Sequence, residues 1–172
     1  MQRFCDGDSQ AFDALFARHS GPLHGYLSRL LRDPAAADDL TQVSFLSLVR
    51  ARGRFLAGAR FKPWLYAIAT NAARDSIRRR RPEDLTATGA LPEAHLGEEL
   101  KAADPGFQRQ VHQALAQLPE SQREAIILHR FQEFSFSEIA ELAGVTESAV
   151  KVRAHRGYER LRELLRGLWD ER

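Results

Sequence analysis

Apolar residues recur at helical spacing along most of this sequence, and that periodicity limits the folds open to the chain. Residues three and four apart share one face of an α-helix. The first such stripe, bent or interrupted at Gly21-Pro22, consists of Phe12, Leu15, Phe16, Leu23, Tyr26, Leu27 and Leu30. No segment alternates apolar and polar residues as a half-buried strand does. The sequence therefore predicts an all-α protein.

Three stretches of different composition divide the 172 residues. Helical patterns fill residues 1–81. Residues 82–106 are rich in Pro, Gly, Thr, Ala and acidic residues, a composition typical of flexible linkers. Residues 107–172 return to helical spacing, with one helix expected over about Glu120–Gln132. We therefore expect two small helical domains, 1–81 and 107–172, joined by a flexible acidic linker.

Residues 135–150 contain the signals of a helix-turn-helix. Ser135 and Glu138 have the spacing of a capping box, in which the serine hydroxyl and the glutamate carboxylate each accept a backbone amide. Gly144 suits the left-handed conformation that ends many helices, and Thr146 can cap the helix that follows. A short helix, a glycine turn and a second helix make a helix-turn-helix. An ordinary helical hairpin is the alternative.

The second helix of this motif has an apolar side and a polar side. At about 100° per residue, the polar side consists of Ser148, Lys151, Val152, His155, Arg156 and Glu159. In a DNA major groove, Arg156 suits guanine, Lys151 suits phosphate or guanine, and Val152 suits a thymine methyl. Arg153, at the edge of this side, suits phosphate. Val152 and His155 have a second interpretation, as ordinary solvated side chains.

Residues 50–81 carry ten basic side chains and a single acid, Asp75. Such a block indicates a polyanionic partner, with a solvated charged face as the alternative. One helix side within it contains Asn71, Arg74, Arg78 and Arg81. Aromatic rings beside arginines hold single-stranded DNA by stacking on its bases. Trp64 borders this stripe and suits stacking or core packing equally, and Phe55 in the preceding loop is a second stacking candidate.

Several of these residues belong to motifs that resemble extracytoplasmic-function sigma factors of the sigma-70 family. The promoter-melting region of that family is similar to Phe61-x-x-Trp64-Leu65-Tyr66-x-Ile68-Ala69-x-Asn71-x-x-x-Asp75-x-x-Arg78-Arg79. The preceding helix, which binds RNA polymerase, is similar to Asp39-Leu40-x-Gln42-x-x-Phe45. Region four is similar to Ser148-Ala149-Val150-Lys151-Val152-Arg153-x-His155-Arg156.

The resemblance implies an alternative RNA polymerase sigma factor that consists of regions two and four. The implied partners are core RNA polymerase, through its β′ clamp helices and β flap, promoter DNA and an anti-sigma factor. The implied contacts to the −10 strand are Arg52, Phe55, Arg60, Trp64, Asn71, Arg74 and Arg78. The implied contacts to the −35 element are Ser148, Lys151, Val152, Arg153, His155 and Arg156. The implied contacts to the polymerase are Asp39, Leu40, Gln42 and Phe45.

Two residues depart from the family pattern. Val43 stands where an acid is usual beside Gln42, which implies an altered polymerase contact. Gly157 replaces a small helix former in the DNA-reading helix. From propensity alone, we expect this glycine to weaken the helix by up to about 1 kcal/mol.

Enzyme classes find little support in the sequence. The motifs GxxxxGK[ST], GxGxxG, HExxH and GxSxG do not occur, and the six histidines lack metal-site spacing. We therefore expect no enzyme, metal or cofactor. Cys5 is the single cysteine, so no internal disulfide is expected. Without a signal-peptide core or a membrane-spanning apolar run, the chain is expected to be cytoplasmic.

Two other classes of protein compete with the sigma factor. A dimeric repressor or activator with an N-terminal sensing domain would also carry a helix-turn-helix. A protein-binding adaptor is the third class. The Trp64–Arg81 segment favours the sigma factor, because a sensing domain has no need of an aromatic beside an arginine stripe. An adaptor leaves Arg156 and the basic block without a role.

Overall fold

The structure is a computed structural model that describes residues 1–79 and 105–169. Every regular element in these two ranges is a helix, which confirms the expected all-α class.

The described residues belong to two compact units, one within Met1–His95 and the other within Leu96–Arg172. Each unit is considered by itself below. The expected linker over 82–106 lies almost wholly outside the described residues, as does Arg81 at the end of the basic stripe. The domain limits inferred from composition therefore stay predictions.

The first unit contains, within its described residues, four α-helices and one 3₁₀ turn. They are α1 (Gln2–Cys5), α2 (Ser9–Leu31), α3 (Pro34–Arg50), the 3₁₀ turn Arg52–Arg54 and α4 (Phe61–Arg79). Aspartates begin two of these helices. The Asp8 carboxylate accepts the Ala11 amide at 3.2 Å, and the Asp33 carboxylate accepts the Ala36 amide at 3.0 Å.

Helix α2 continues through Pro22, so the interruption considered at Gly21-Pro22 does not occur. A proline inside a helix removes one backbone hydrogen bond and crowds the preceding turn. The half of α2 that follows is buried from Tyr26 to Leu31. Because tertiary packing supplies most helix stability in proteins, this burial outweighs the local cost of the proline.

The core of the first unit lies between α2, α3 and α4. Its largest fully buried side chains are Tyr26, Tyr66, Leu23, Leu27, Leu30, Leu48 and Leu65. The hydroxyls of Tyr26 and Thr70 share a hydrogen bond of 2.9 Å, and Arg29 donates to the Gly25 carbonyl at 2.9 Å. Burial lowers the pKa of Arg29 to about 10 and raises the pKa of Tyr66, while the attraction between the two groups opposes each shift.

The second unit contains a helix-turn-helix preceded by two other helices. Its elements are α5 (Pro105–Ala116), α6 (Glu120–Ile126), a π-helical segment (Ile127–Phe131), α7 (Phe136–Ala143) and α8 (Glu147–Trp169). The helix expected over about Glu120–Gln132 is therefore present, and it changes from α-helical to π-helical after Ile126. The Gln132 amide donates to the Ile127 carbonyl, five residues back, at 3.2 Å, which is the π-helical pattern.

Local capping forms the helix-turn-helix as the sequence indicated. Both hydrogen bonds of the Ser135–Glu138 capping box are present. Gly144 ends α7 with a φ of 65°, in the left-handed region that favours glycine. The Thr146 hydroxyl accepts the Ala149 amide at 3.2 Å and so caps α8. The helix-turn-helix interpretation is thus confirmed at its turn.

Gly157 lies where α8 approaches α6 most tightly. A Cβ at this position would lie 2.6 Å from Ile126 Cδ1 and 3.3 Å from Gln122 Cβ. The expectation that Gly157 only weakens α8 is therefore incomplete. The missing Cβ allows α8 to pack closely on α6, and this packing orients the helix that carries the candidate DNA contacts.

Candidate nucleic-acid interface

Helix α8 is divided lengthwise into a buried stripe and an exposed side. Val150 and Ala154 are 1% and 2% exposed, and Gly157 is buried with them. The structure places on the exposed side Ser148, Lys151, Val152, His155 and Arg156. Arg153 is half-buried, in agreement with its expected position at the edge. We call the six residues from Ser148 to Arg156 that were predicted to contact the −35 element the α8 surface.

Two acidic residues contact side chains of the α8 surface. Glu147 lies 2.7 Å from the Lys151 ammonium, and Glu159 lies 3.4 Å from His155 Nε2. Both pairs have the i,i+4 spacing that brings side chains together on a helix. Glu147 was not among the residues predicted from the sequence, although its spacing of four residues from Lys151 indicates such a pair.

Val152 is the large apolar side chain of the α8 surface, and it is 47% exposed. Its neighbours on this side are polar or charged. An apolar group at such a position can contact a thymine methyl in the major groove. The Val152 side chain is thus accessible for that contact.

A second set of candidate residues lies on α4. Asn71 and Arg78 are exposed and Arg74 is half-buried. Arg78 forms an ion pair with Asp75, and Arg79 donates to the Asp75 carbonyl oxygen at 3.0 Å. We define the α4 surface as the residues predicted to contact the −10 strand, namely Arg52, Phe55, Arg60, Trp64, Asn71, Arg74 and Arg78.

The rings of Phe55 and Trp64 pack edge to face, with centroids 5.1 Å apart. Both side chains are half-buried. Trp64 is therefore neither a fully buried core residue nor a free ring. This position agrees in part with core packing and in part with stacking on bases, the two interpretations that the sequence allows. The contact ties the loop between α3 and α4 to the first turns of α4.

The loop itself is open to solvent. Arg52 and Arg60 near its two ends are exposed. Between them, Leu56 is 75% exposed, the highest value among the large apolar side chains that the structure shows as exposed. Leu56 was not among the residues predicted from the sequence, although an apolar residue between two glycines in a basic loop indicates an exposed side chain. Gly58 holds a φ of 83°, which shapes the loop beside it.

The residues predicted to contact the polymerase occupy α3 unequally. Asp39 and Gln42 are exposed, and Leu40 is half-buried. Phe45 is only 3% exposed, and its ring centroid lies 4.8 Å from that of Phe16. Phe45 therefore packs between α2 and α3 and presents almost no surface, and its contact with the polymerase stays a prediction.

Two other residues extend the exposed part of α3. Val43 and Leu46 are 44% and 56% exposed. We call Asp39, Leu40, Gln42, Val43 and Leu46 the α3 surface. Its apolar side chains are partly or largely exposed to solvent, as is typical of a surface that binds another protein.

The described residues contain no cluster of three or more metal-ligating side chains. Within the same ranges, no helix combines the length and the hydropathy that crossing a membrane requires.

Two family models match the chain. The model described as Sigma-70 region 2 matches residues 15–83, and the model described as Sigma-70, region 4 matches residues 108–161. Together they cover more than half of the sequence. The first match includes the α3 and α4 surfaces, and the second includes the α8 surface.

Relatives of known function agree with these matches. The chain is 46% identical over 165 residues to the RNA polymerase sigma factor CarQ of Myxococcus xanthus, covering 96% of this chain and 95% of that protein. It is 36% identical over 163 residues to the ECF RNA polymerase sigma factor SigM of Mycobacterium tuberculosis, covering 92% of this chain and 79% of that protein.

Solved structures lead to the same family. The sigma factor RpoE of Bartonella quintana, in complex with the anti-sigma factor NepR, superposes with a TM-score of 0.75 and 27% identity, covering 91% of this chain and 98% of that one. CnrH, in complex with the cytosolic domain of CnrY, gives 0.73 and 26%, covering 96% and 94%. The chain therefore belongs to the extracytoplasmic-function group of the sigma-70 family, as an alternative sigma factor that directs core RNA polymerase to promoters and initiates transcription.

Proposed function

We propose that this sigma factor reads the −35 element with the α8 surface and holds the opened −10 strand with the α4 surface. The observation that carries the proposal is the division of α8 into a buried stripe and an exposed polar side. Since the buried stripe fixes α8 against the rest of its unit, the exposed side has one orientation from which to read DNA.

Base reading in the −35 element is assigned to four side chains of α8, one of which is the exposed His155. Arg156 is exposed and carries the planar guanidinium that suits the O6 and N7 acceptors of guanine. Val152 lies one helical turn before it and suits a thymine methyl. Lys151, also exposed, suits phosphate or guanine.

The other members of the α8 surface suit the DNA backbone. Ser148 lies at the start of α8, where a hydroxyl and the helix N-terminus both favour a phosphate. Arg153 is half-buried at the edge of this surface, where a guanidinium suits phosphate. Contacts of this kind position the helix and carry no sequence information.

The α4 surface has the parts that hold single-stranded DNA. Trp64 and Phe55 supply aromatic rings, on which unpaired bases stack. Asn71 can hydrogen-bond a base edge, and Arg74 and Arg78 can bind phosphates along the same helix. Opening of the duplex exposes the bases, so these contacts are formed only after melting begins.

The α3 surface is the proposed contact with core polymerase. Asp39 and Gln42 supply polar groups around the half-buried Leu40. The exposed side chains of Val43 and Leu46 enlarge its apolar part, which a partner would cover. Polymerase and DNA occur together in the cytoplasm, where we place the protein.

An anti-sigma factor is a further proposed partner. RpoE of Bartonella quintana, which the chain resembles in fold, was solved in complex with the anti-sigma factor NepR. The exposed apolar residues of the α3 surface support a similar capture here, in competition with core polymerase.

Arg156→Ala in reconstituted transcription with core polymerase tests the proposal. Loss of one bidentate base contact costs about 1–3 kcal/mol, or roughly 5- to 150-fold. Initiation should fall by this factor on the preferred −35 sequence, and a promoter library should show relaxed preference at one position. Arg162→Ala, an exposed arginine farther along α8, is the matched control. An unchanged preference in the Arg156 variant would refute its role in base reading.

A further inference from the structure

Helix α1 lies against the 3₁₀ turn that begins the loop of the α4 surface. Phe4 on α1 is 6% exposed, and the Arg52 guanidinium carbon lies 5.7 Å from its ring centroid. The neighbouring Cys5 thiol donates to the Arg52 carbonyl oxygen at 3.3 Å. Two adjacent residues of α1 therefore contact one residue of the turn, through its side chain and through its backbone.

Helix α1 is also attached to α2. The Phe4 ring centroid lies 5.3 Å from that of Phe12 on α2. The Asp8 amide donates to the Arg3 carbonyl at 2.9 Å, and the Arg3 guanidinium lies 2.6 Å from the Asp8 carboxylate, which caps α2. Helix α1 is thus fixed to the long helix α2 and also contacts the turn.

The turn leads from α1 to the aromatic pair of the loop. The Arg54 amide donates to the Ala51 carbonyl at 2.8 Å, and the Phe55 amide donates to the Arg52 carbonyl at 3.2 Å. Phe55 then packs on Trp64. The Arg52 carbonyl therefore accepts from Cys5 and from Phe55, so it joins α1 directly to the residue that carries the loop's aromatic ring.

We propose that α1 is a positioning element, which holds the Arg52–Arg54 turn in the conformation that captures the −10 strand. This inference rests on the proposed role of the α4 surface. Phe4 and Cys5 act through Arg52 and Phe55 and do not touch DNA. Without them the loop must be ordered when DNA binds, and that ordering reduces affinity.

The test uses the full chain assembled with core polymerase and a fork-junction DNA with an unpaired −10 strand. Phe4→Leu keeps an apolar residue under the turn and removes the ring beneath Arg52. Since an exposed cation–π contact corresponds to about two- to fivefold in affinity, fork binding should weaken by about this factor. Cys5→Ala should weaken it about twofold, and Cys5→Ser, which keeps a donor, should restore it. Gln2→Ala, on the exposed side of α1, is the matched control.

A second measurement needs no DNA. Amide hydrogen exchange of Arg54 and Phe55, followed by NMR in the free chain, reports directly on the turn. Phe4→Leu and Cys5→Ala should accelerate exchange by about two- to fivefold, whereas Gln2→Ala should not. Binding to core polymerase should remain within about twofold of the parent for all four variants, which separates loop positioning from loss of the fold.

The outcomes distinguish this inference from the proposed function. Faster exchange together with weaker fork binding supports it. Unchanged exchange overturns it, because α1 then does not hold the turn. Faster exchange with normal fork binding, while Trp64→Ala binds the fork weakly, also overturns it and leaves the proposed function intact. Normal fork binding by the α1 variants and by Trp64→Ala overturns both.

Discussion

Replacing Gly157 with alanine tests whether close packing on α6 orients α8. The new Cβ would lie 2.6 Å from Ile126 Cδ1 and 3.3 Å from Gln122 Cβ. Ile126 is 1% exposed, so its terminal methyl has little room to move. Overpacking costs about 1–3 kcal/mol, and alanine regains up to about 1 kcal/mol of helix propensity over glycine. We expect Gly157→Ala to lower the free energy of unfolding by about 1 kcal/mol.

The same geometry predicts which second change relieves the strain. Ile126→Val removes Cδ1, the atom that the new Cβ would meet. In the parent chain this truncation should cost about 0.5–1.5 kcal/mol. In the Gly157→Ala background, Ile126→Val should leave the free energy of unfolding unchanged or raise it. The methyl group that it removes is then the one that clashes with the new Cβ. The double-mutant cycle should therefore give a coupling energy of about 1 kcal/mol or more.

The unfolding of the second unit must be followed separately from that of the first. Urea titration of the full chain, monitored by NMR through the amide signals of α8, isolates this transition. Gly53→Ala, followed through amide signals of the first unit, is the control for glycine replacement, because no atom outside its own neighbourhood lies within 4 Å of the Cβ it would acquire. Additive effects of the Gly157 and Ile126 substitutions would refute the close-packing argument.

Four further predictions concern separate parts of the chain. Trp64→Ala should reduce strand opening, seen by permanganate footprinting, more than it reduces binding to core polymerase. Leu40→Asp should abolish polymerase pull-down while the helical circular dichroism signal persists. Ser135→Ala removes the α7 cap and should cost about 0.5–2 kcal/mol in urea unfolding. Burial, followed by the charges of neighbouring Arg18 and Lys62, lowers the pKa of His19 below its ordinary 6.5. Folding therefore disfavours the protonated ring, so stability should fall as pH drops from 6.5 toward the folded-state pKa, and urea titrations of His19→Phe should show less of this loss.

Each of these predictions has an outcome that contradicts it. If Trp64→Ala loses polymerase binding first, the side chain is a core or interface residue. If Leu40→Asp loses its helical signal as well, Leu40 supports the fold instead of contacting a partner. An unaffected Ser135→Ala would show that the capping box is redundant, and a parent-like pH response in His19→Phe would assign the acid sensitivity to another group.

Features set by neighbouring residues were predictable from the sequence. The capping box at Ser135, the left-handed turn at Gly144 and the start of α3 after Asp33 each depend on a few consecutive residues. The exposed side of α8 follows from helical spacing alone, and the structure keeps Arg156 and Val152 on that side. Local chemistry is sufficient for such features, because the interactions are formed within one or two turns.

Features that depend on distant residues were not predictable in this way. The need for a glycine at position 157 arises from Ile126 on another helix. Phe45 has the spacing of a surface contact, and only the rings of Phe12 and Phe16 from α2 show that it is buried. The contact of Cys5 with Arg52 joins residues that are 47 positions apart. In each case the deciding atom belongs to a segment that periodicity does not connect to the residue.

The carboxylates of Glu147 and Glu159 affect how the protein searches a chromosome. In the DNA complex proposed above, any duplex, whatever its sequence, must draw Lys151 and His155 away from these acids and tolerate the two negative charges nearby. Background association is therefore weakened across the whole genome. The same cost applies at a correct promoter, so the ratio of correct to incorrect occupancy depends on contacts to bases, which random sequence cannot form.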